Sequence, residues 1–122
     1  MDDKQLKENQ IPEECLAIQR PVSDALEVLN GKWKLPIIIA LSHGPRRFRE
    51  LSKLAPGISD KMLSKELKEL ELHDLVTRTI HNTFPPRVEY QITDHGLSLE
   101  KVIDSLRDWG LYHRQKAMGN SK

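Results

Sequence analysis

Phe48-Arg49-Glu50-Leu51-Ser52-Lys53-Leu54 is followed by Ala55-Pro56-Gly57-Ile58, and then by Ser59-Asp60-Lys61-Met62-Leu63-Ser64-Lys65-Glu66-Leu67-Lys68-Glu69-Leu70-Glu71-Leu72-His73. Phe48, Leu51 and Leu54 recur every three residues, which predicts a short helix with one apolar face. Ala55-Pro56-Gly57 ends it within two turns. Ser59 is a good N-cap for the next helix, and Asp60 suits the positive end of its dipole. Two short helices joined by a tight Pro-Gly turn form a helix-turn-helix pattern.

The second of these helices separates its side chains by face. At 100° per residue, Leu63, Leu67 and Leu70 lie together, with Lys61, Ser64, Lys65 and Lys68 opposite and Glu66 and Glu69 on a flank. The leucines anchor the helix while a lysine row faces outward. If the helix enters a major groove, Ser59, Asp60, Lys61, Ser64 and Lys65 are nearest the base edges. An ordinary solvated helix face has the same pattern, so the flanking elements must decide.

Downstream the period changes from 3.6 to 2. Val88, Tyr90 and Ile92 alternate with Arg87, Glu89 and Gln91, which predicts a strand, and Val76 to Asn82 is its partner. Thr83-Phe84-Pro85-Pro86 cannot continue a ladder and makes a stiff loop. Thr93 or Asp94 then caps one long last helix with the apolar stripe Leu99, Val102, Ile103, Leu106 and Trp109. Upstream, Ser23 or Asp24 caps a short helix that stops at Asn30-Gly31. A buried helix runs from Trp33 to Ser42 and holds Pro36 in its first turn. Residues 1–14 read as a mobile arm, 15–118 as the folded domain and 119–122 as a tail. The expected fold is mainly α with a small β-hairpin, a winged helix-turn-helix with a long C-terminal dimerisation helix.

The 122 residues suit one small domain, too short for a large barrel enzyme. The net charge is +1, but residues 32–87 carry eleven Lys/Arg against six Asp/Glu. A basic centre in a neutral chain is the footprint of a nucleic-acid face, or else of a solvated surface whose charges segregate. Arg46, Arg47, Arg49 and Lys53 on the first helix of the pair, Lys68, and Arg78 and Arg87 in the hairpin are the candidate DNA-backbone contacts. The arginines near Glu50 can equally serve solubility or ion pairing, and Arg87 can pair with Glu89 or Glu71. The last helix's stripe exceeds what one hairpin can cover, which favours a two-fold dimer, although packing on the first helix is an alternative.

His43, His73, His81, His95 and His113 show no metal-site spacing, and no catalytic fingerprint occurs. An enzyme, a cofactor or a metal is therefore not expected. Nor is a membrane span, since the longest apolar run, Leu35 to Leu41, is short and contains Pro36. The acidic start without an apolar stretch and the single cysteine, Cys15, read as cytoplasmic. Cys15 beside Glu13 and Glu14 is either a small apolar side chain or a redox thiol.

Several motifs occur in one order: Pro21-Val22, Gly31-Lys32-Trp33-Lys34, Gly44-Pro45-Arg46-Arg47-Phe48-Arg49-Glu50-Leu51, Pro56-Gly57-Ile58-Ser59-Asp60-Lys61-Met62-Leu63, Leu67-Lys68-Glu69-Leu70-Glu71, Pro85-Pro86-Arg87-Val88-Glu89-Tyr90 and Thr93-Asp94-His95-Gly96. Together they resemble the HxlR-type winged helix-turn-helix regulators, a prokaryotic group with MarR-like architecture. The resemblance covers about Pro21 to His113. It implies a homodimeric transcriptional regulator that binds a palindromic double-stranded DNA operator, with residues 59–72 as recognition helix and 83–87 as wing. In that family the residue before the Pro-Val pair is often a sensing cysteine; here it is Arg20, with Cys15 five residues earlier. Two other readings stay open: a winged-helix protein-interaction module, and a thiol-based redox sensor using Cys15. A small-molecule effector of unidentified chemistry is a further candidate partner.

Overall fold

The computed structural model describes residues 11–119, so most of the expected arm and tail lies outside the described residues. The chain divides into two compact units, one ending at Gly31 and one beginning at Lys32.

In the first unit, α1 spans Glu13–Val28, with Glu13 and Glu14 in its first turn. The expected short helix capped at Ser23 or Asp24 is corrected, because both residues lie inside α1 and Pro21 does not end it. Ile18, Val22 and Leu26 recur every four residues across that proline and are all exposed. This period is the helical signal that continues past Pro21. Cys15 is a free, exposed thiol on the same helix.

The second unit contains α2 (Lys34–Leu41), α3 (Phe48–Leu54), α4 (Asp60–Leu72), β1 (Val76–His81), β2 (Arg87–Ile92), α5 (Asp94–Leu97) and α6 (Glu100–Ala117). Pro36 falls in the first turn of α2, where its missing N–H would have no helical acceptor. The core is formed by Ile37, Ile38 and Leu41 of α2, Leu51 of α3, Leu63, Leu67 and Leu70 of α4, and Leu75 and Val76. Each such side chain contributes about 1.5–3 kcal/mol by leaving water. α3 and α4 meet at Pro56-Gly57. Gly57 has φ +94, a left-handed conformation that favours glycine.

α4 passes into β1 through Asp74, whose φ is +60. The strands are antiparallel and pair Val76 with Ile92, Arg78 with Tyr90 and Ile80 with Val88 on one face. Thr77, Thr79, His81, Arg87, Glu89 and Gln91 take the other face. Thr93 ties the hairpin to the end of α4: its N–H donates to Leu75 O (3.0 Å) and its hydroxyl to Asp74 O (2.7 Å).

The single last helix that was expected is instead two helices. Thr93 does act as an N-cap, accepting from Gly96 N–H at 2.9 Å, but it caps only the four residues of α5. A Cβ added at Gly96 would lie 2.5 Å from both Leu75 O and Ile92 Cγ1. Only glycine therefore lets α5 seat against the sheet end. The chain turns at Ser98, and Leu99 becomes the N-cap residue of α6 rather than part of its stripe. The result is a mostly helical winged helix-turn-helix with one antiparallel hairpin and a long C-terminal helix.

Candidate nucleic-acid interface

α4 begins with Ser59 Oγ accepting from Met62 N–H at 3.0 Å, as its sequence predicts. Its inner face buries Leu63, Leu67 and Leu70, and its outer face leaves Lys61, Lys65 and Lys68 exposed with Ser64 half-buried. Lys61, Ser64, Lys65, Lys68 and Glu69 line one shallow depression on that face. Ser59 and Asp60 are exposed at its N-terminal end. Lys65 Nζ approaches Glu69 Oε2 at 3.5 Å, a loose and exposed pair that an incoming anion can displace.

Two charges in the basic segment do not belong to this surface. Lys34 is buried and donates to Glu66 Oε1 and Glu69 Oε1, both at 2.6 Å. Glu66, on the flank of the helix between its leucine and lysine faces, is itself buried. Burial alone would lower the Lys34 pKa, but the hydrogen bonds and attraction of the two carboxylates outweigh it and hold the ammonium above its ordinary value. The Lys34 hydrogen bond in turn holds the Glu69 carboxyl below its usual range.

Arg46 is placed by its backbone. Its N–H donates to Tyr90 O (2.9 Å) and its carbonyl accepts from Tyr90 N–H (2.8 Å), so the residues before α3 pair with β2. Arg47 is the N-cap residue of α3, where its N–H donates to Glu50 Oε1 at 2.8 Å, and Arg49 and Lys53 are exposed on α3.

Arg78 and Arg87, grouped together from the sequence, point to opposite faces of the hairpin. Arg78 joins Ser64, Leu67, Lys68, Glu71 and Tyr90 around a cleft of about 350 Å³ between α4 and the sheet. Tyr90 was not among the expected site residues; only its alternation with Val88 and Ile92 placed it on this face. Burial pushes its hydroxyl pKa up, Arg78 works against that shift and Glu71 adds to it. On the other face Arg87 Nε lies 3.7 Å from Glu89 Oε2, and Glu89 Oε1 meets His81 Nε2 at 2.8 Å. Arg87 therefore pairs with Glu89 and not with Glu71. The Nε atoms of Arg46 and Arg87 are buried without a hydrogen-bond partner among the described residues.

Val102, Leu106 and Trp109 are 45%, 50% and 62% exposed on α6, while Leu99 and Ile103 are partly covered. Trp109 stacks on His113 with ring centroids 4.9 Å apart. No group of His, Cys, Asp or Glu suited to a metal occurs among the described residues. No described helix is long and apolar enough to cross a membrane.

The HxlR-like helix-turn-helix family matches residues 28–118. The HTH-type transcriptional regulator YtcD of Bacillus subtilis is 42% identical over 100 residues, covering 82% of this chain and 79% of YtcD. A regulator from Methanothermobacter thermautotrophicus is 38% identical over 89 residues, covering 73% of this chain and 68% of its own. The crystal structure of a ytcD regulator superposes with a TM-score of 0.74 at 44% identity, covering 77% of this chain and 96% of that one. The redox regulator HypR in its reduced form gives 0.76 at 34% identity, covering 81% and 98%. The chain belongs to the HxlR-like helix-turn-helix family of transcriptional regulators.

Proposed function

We propose that this regulator binds a palindromic DNA operator as a homodimer, with α4 as its recognition helix and residues 83–87 as its wing. The observation that carries the reading is the two-sided α4: leucines fix it in the core while Lys61, Ser64, Lys65 and Lys68 share its exposed side. Ser59, Asp60, Lys61, Ser64 and Lys65 approach base edges in the major groove. Arg46, Arg47, Arg49, Lys53, Lys68, Arg78 and Arg87 hold phosphates and fix register. Arg87 gives up its Glu89 contact to do so, and Tyr90 joins Lys68 and Arg78 at the α4–hairpin cleft.

The homodimer is supported by the uncovered stripe Val102, Leu106 and Trp109 on α6 and by the exposed Ile18, Val22 and Leu26 on α1. A two-fold contact buries such a patch against itself and presents two recognition helices about one DNA turn apart. An operator affinity on the order of 10⁻⁸ M at moderate salt is expected.

The test is titration of random duplex against salt. The native chain should bind at low salt and weaken steeply, and each alanine at Arg47, Arg49 or Lys53 should reduce the log–log slope by about one per protomer, about two for the dimer. Failure to retain any duplex at low salt would assign the lysine row to an acidic protein partner instead.

A further inference from the structure

Phe84 is the most exposed large apolar side chain among the described residues, at 101%. It sits at the tip of the wing on a loop that its neighbours hold in place. Thr83 N–H donates to His81 O and Thr83 Oγ1 donates to Pro85 O, both at 2.8 Å. Pro85 and Pro86 restrict the backbone that follows. The ring is thus presented on a preformed support, so little ordering cost remains when it docks.

A phenyl ring cannot bind phosphate or hydrogen-bond to a base edge. Its only gain is apolar burial, and it touches nothing within the hairpin that could supply it. Asn82, exposed two residues before it, carries an amide donor suited to the A N3 and T O2 acceptors of a minor groove. The stem behind it carries Arg78, at the cleft shared with Lys68.

We propose that Phe84 is an apolar minor-groove wedge, which enters beside the recognition helix's half-site and partly opens a flexible base step. The proposal rests on the DNA-binding reading and adds a specificity term to it. Proteins that insert a Phe in this way unstack one step and favour pyrimidine–purine steps, which open easily, over stiff A-tracts. Removing the ring should therefore shift preference toward A-tracts.

Two duplexes of equal length test this, one of alternating T·A steps carrying a single 2-aminopurine and one an uninterrupted A-tract. Phe84→Ala should weaken binding to the alternating duplex roughly tenfold, the value of one buried aromatic ring net of unstacking. It should change A-tract binding less than about twofold. The native chain should brighten the 2-aminopurine, Phe84→Ala should not, and Phe84→Leu should restore part of both effects. Equal affinity losses on the two duplexes, or no loss, would overturn the wedge while leaving DNA binding intact. So would an altered oligomeric state of Phe84→Ala with unchanged duplex affinity, which would seat the ring on a second copy. If the native chain binds neither duplex, the DNA-binding reading itself fails and the wedge with it.

Discussion

Lys34 Nζ lies 2.6 Å from Glu66 Oε1, with the two residues 1% and 5% exposed, so an ion pair inside the core joins α2 to α4. Glu69 Oε1 completes the arrangement at 2.6 Å from the same ammonium. The contact fixes the rotation of α4 about its axis and with it the direction in which Lys61, Lys65 and Lys68 point. Lys34→Met leaves the buried Glu66 carboxylate without its ammonium, whereas Glu66→Leu leaves Lys34 held by Glu69. Lys34→Met should therefore cost about 3–5 kcal/mol in urea denaturation, and Glu66→Leu less. The double variant should recover most of that loss, because two apolar side chains of similar volume need no partner. A double variant no more stable than either single change would show that the pair is not the source of the cost.

The same group gives stability a pH dependence with two limbs. Lys34 is held above its ordinary 10.5, so its contribution is complete below that value and is lost as pH rises through the raised folded value. Glu69 is held below its ordinary 4.5, so its contribution is present above that value and is lost as pH falls through the lowered one. The urea midpoint should therefore be flat across neutral pH and decline at both ends. Glu69→Gln should flatten the acid limb, and Lys34→Met/Glu66→Leu should shrink both. An acid limb of unchanged depth in Glu69→Gln would refute this assignment.

Much of this architecture is legible in the sequence because it is decided locally. The α3 boundaries, the Ser59 cap and the two strands depend on spacing, cap chemistry and turn residues within a few positions of each other. The Lys34–Glu66 pair joins residues 32 apart in sequence, and no local pattern distinguishes a buried lysine from a surface one. The charge count of residues 32–87 therefore includes Lys34 alongside the surface lysines. α1 runs through Pro21 with Ile18, Val22 and Leu26 recurring every four residues, whereas Ser23 and Asp24 carry the local signature of a helix start. The break between α5 and α6 follows from the close seat of Gly96 on Leu75 and Ile92, a tertiary contact. The hairpin register is one residue off the sequence reading: a loop of 83–86 would pair Arg78 with Gln91 on the face of Arg87, whereas the observed pairing of His81 with Arg87 sends the two arginines to opposite faces.

On the proposed homodimer, Leu106→Glu places a charge in the middle of the α6 stripe. Sedimentation should then report a monomer where the native chain is a dimer, with unchanged helix content by circular dichroism. Affinity for an inverted repeat should fall about 10²-fold or more as the two half-sites become uncoupled. A variant that stays dimeric would move the interface off this face.

Lys65 separates base reading from phosphate binding. Lys65→Ala should cost about 1–3 kcal/mol on the preferred operator and relax preference at one position per half-site. The Glu69 partner it leaves behind retains Lys34, so stability should change little. Equal weakening on preferred and shuffled duplexes would make Lys65 a phosphate contact.

The most direct measurement is selection of bound duplexes from a random DNA pool by the full chain. The account predicts enrichment of an inverted repeat with half-sites about one helical turn apart, which requires both the dimer and readout by α4. Binding without enrichment would contradict sequence-specific recognition, and no retention even at low salt would contradict DNA as the partner.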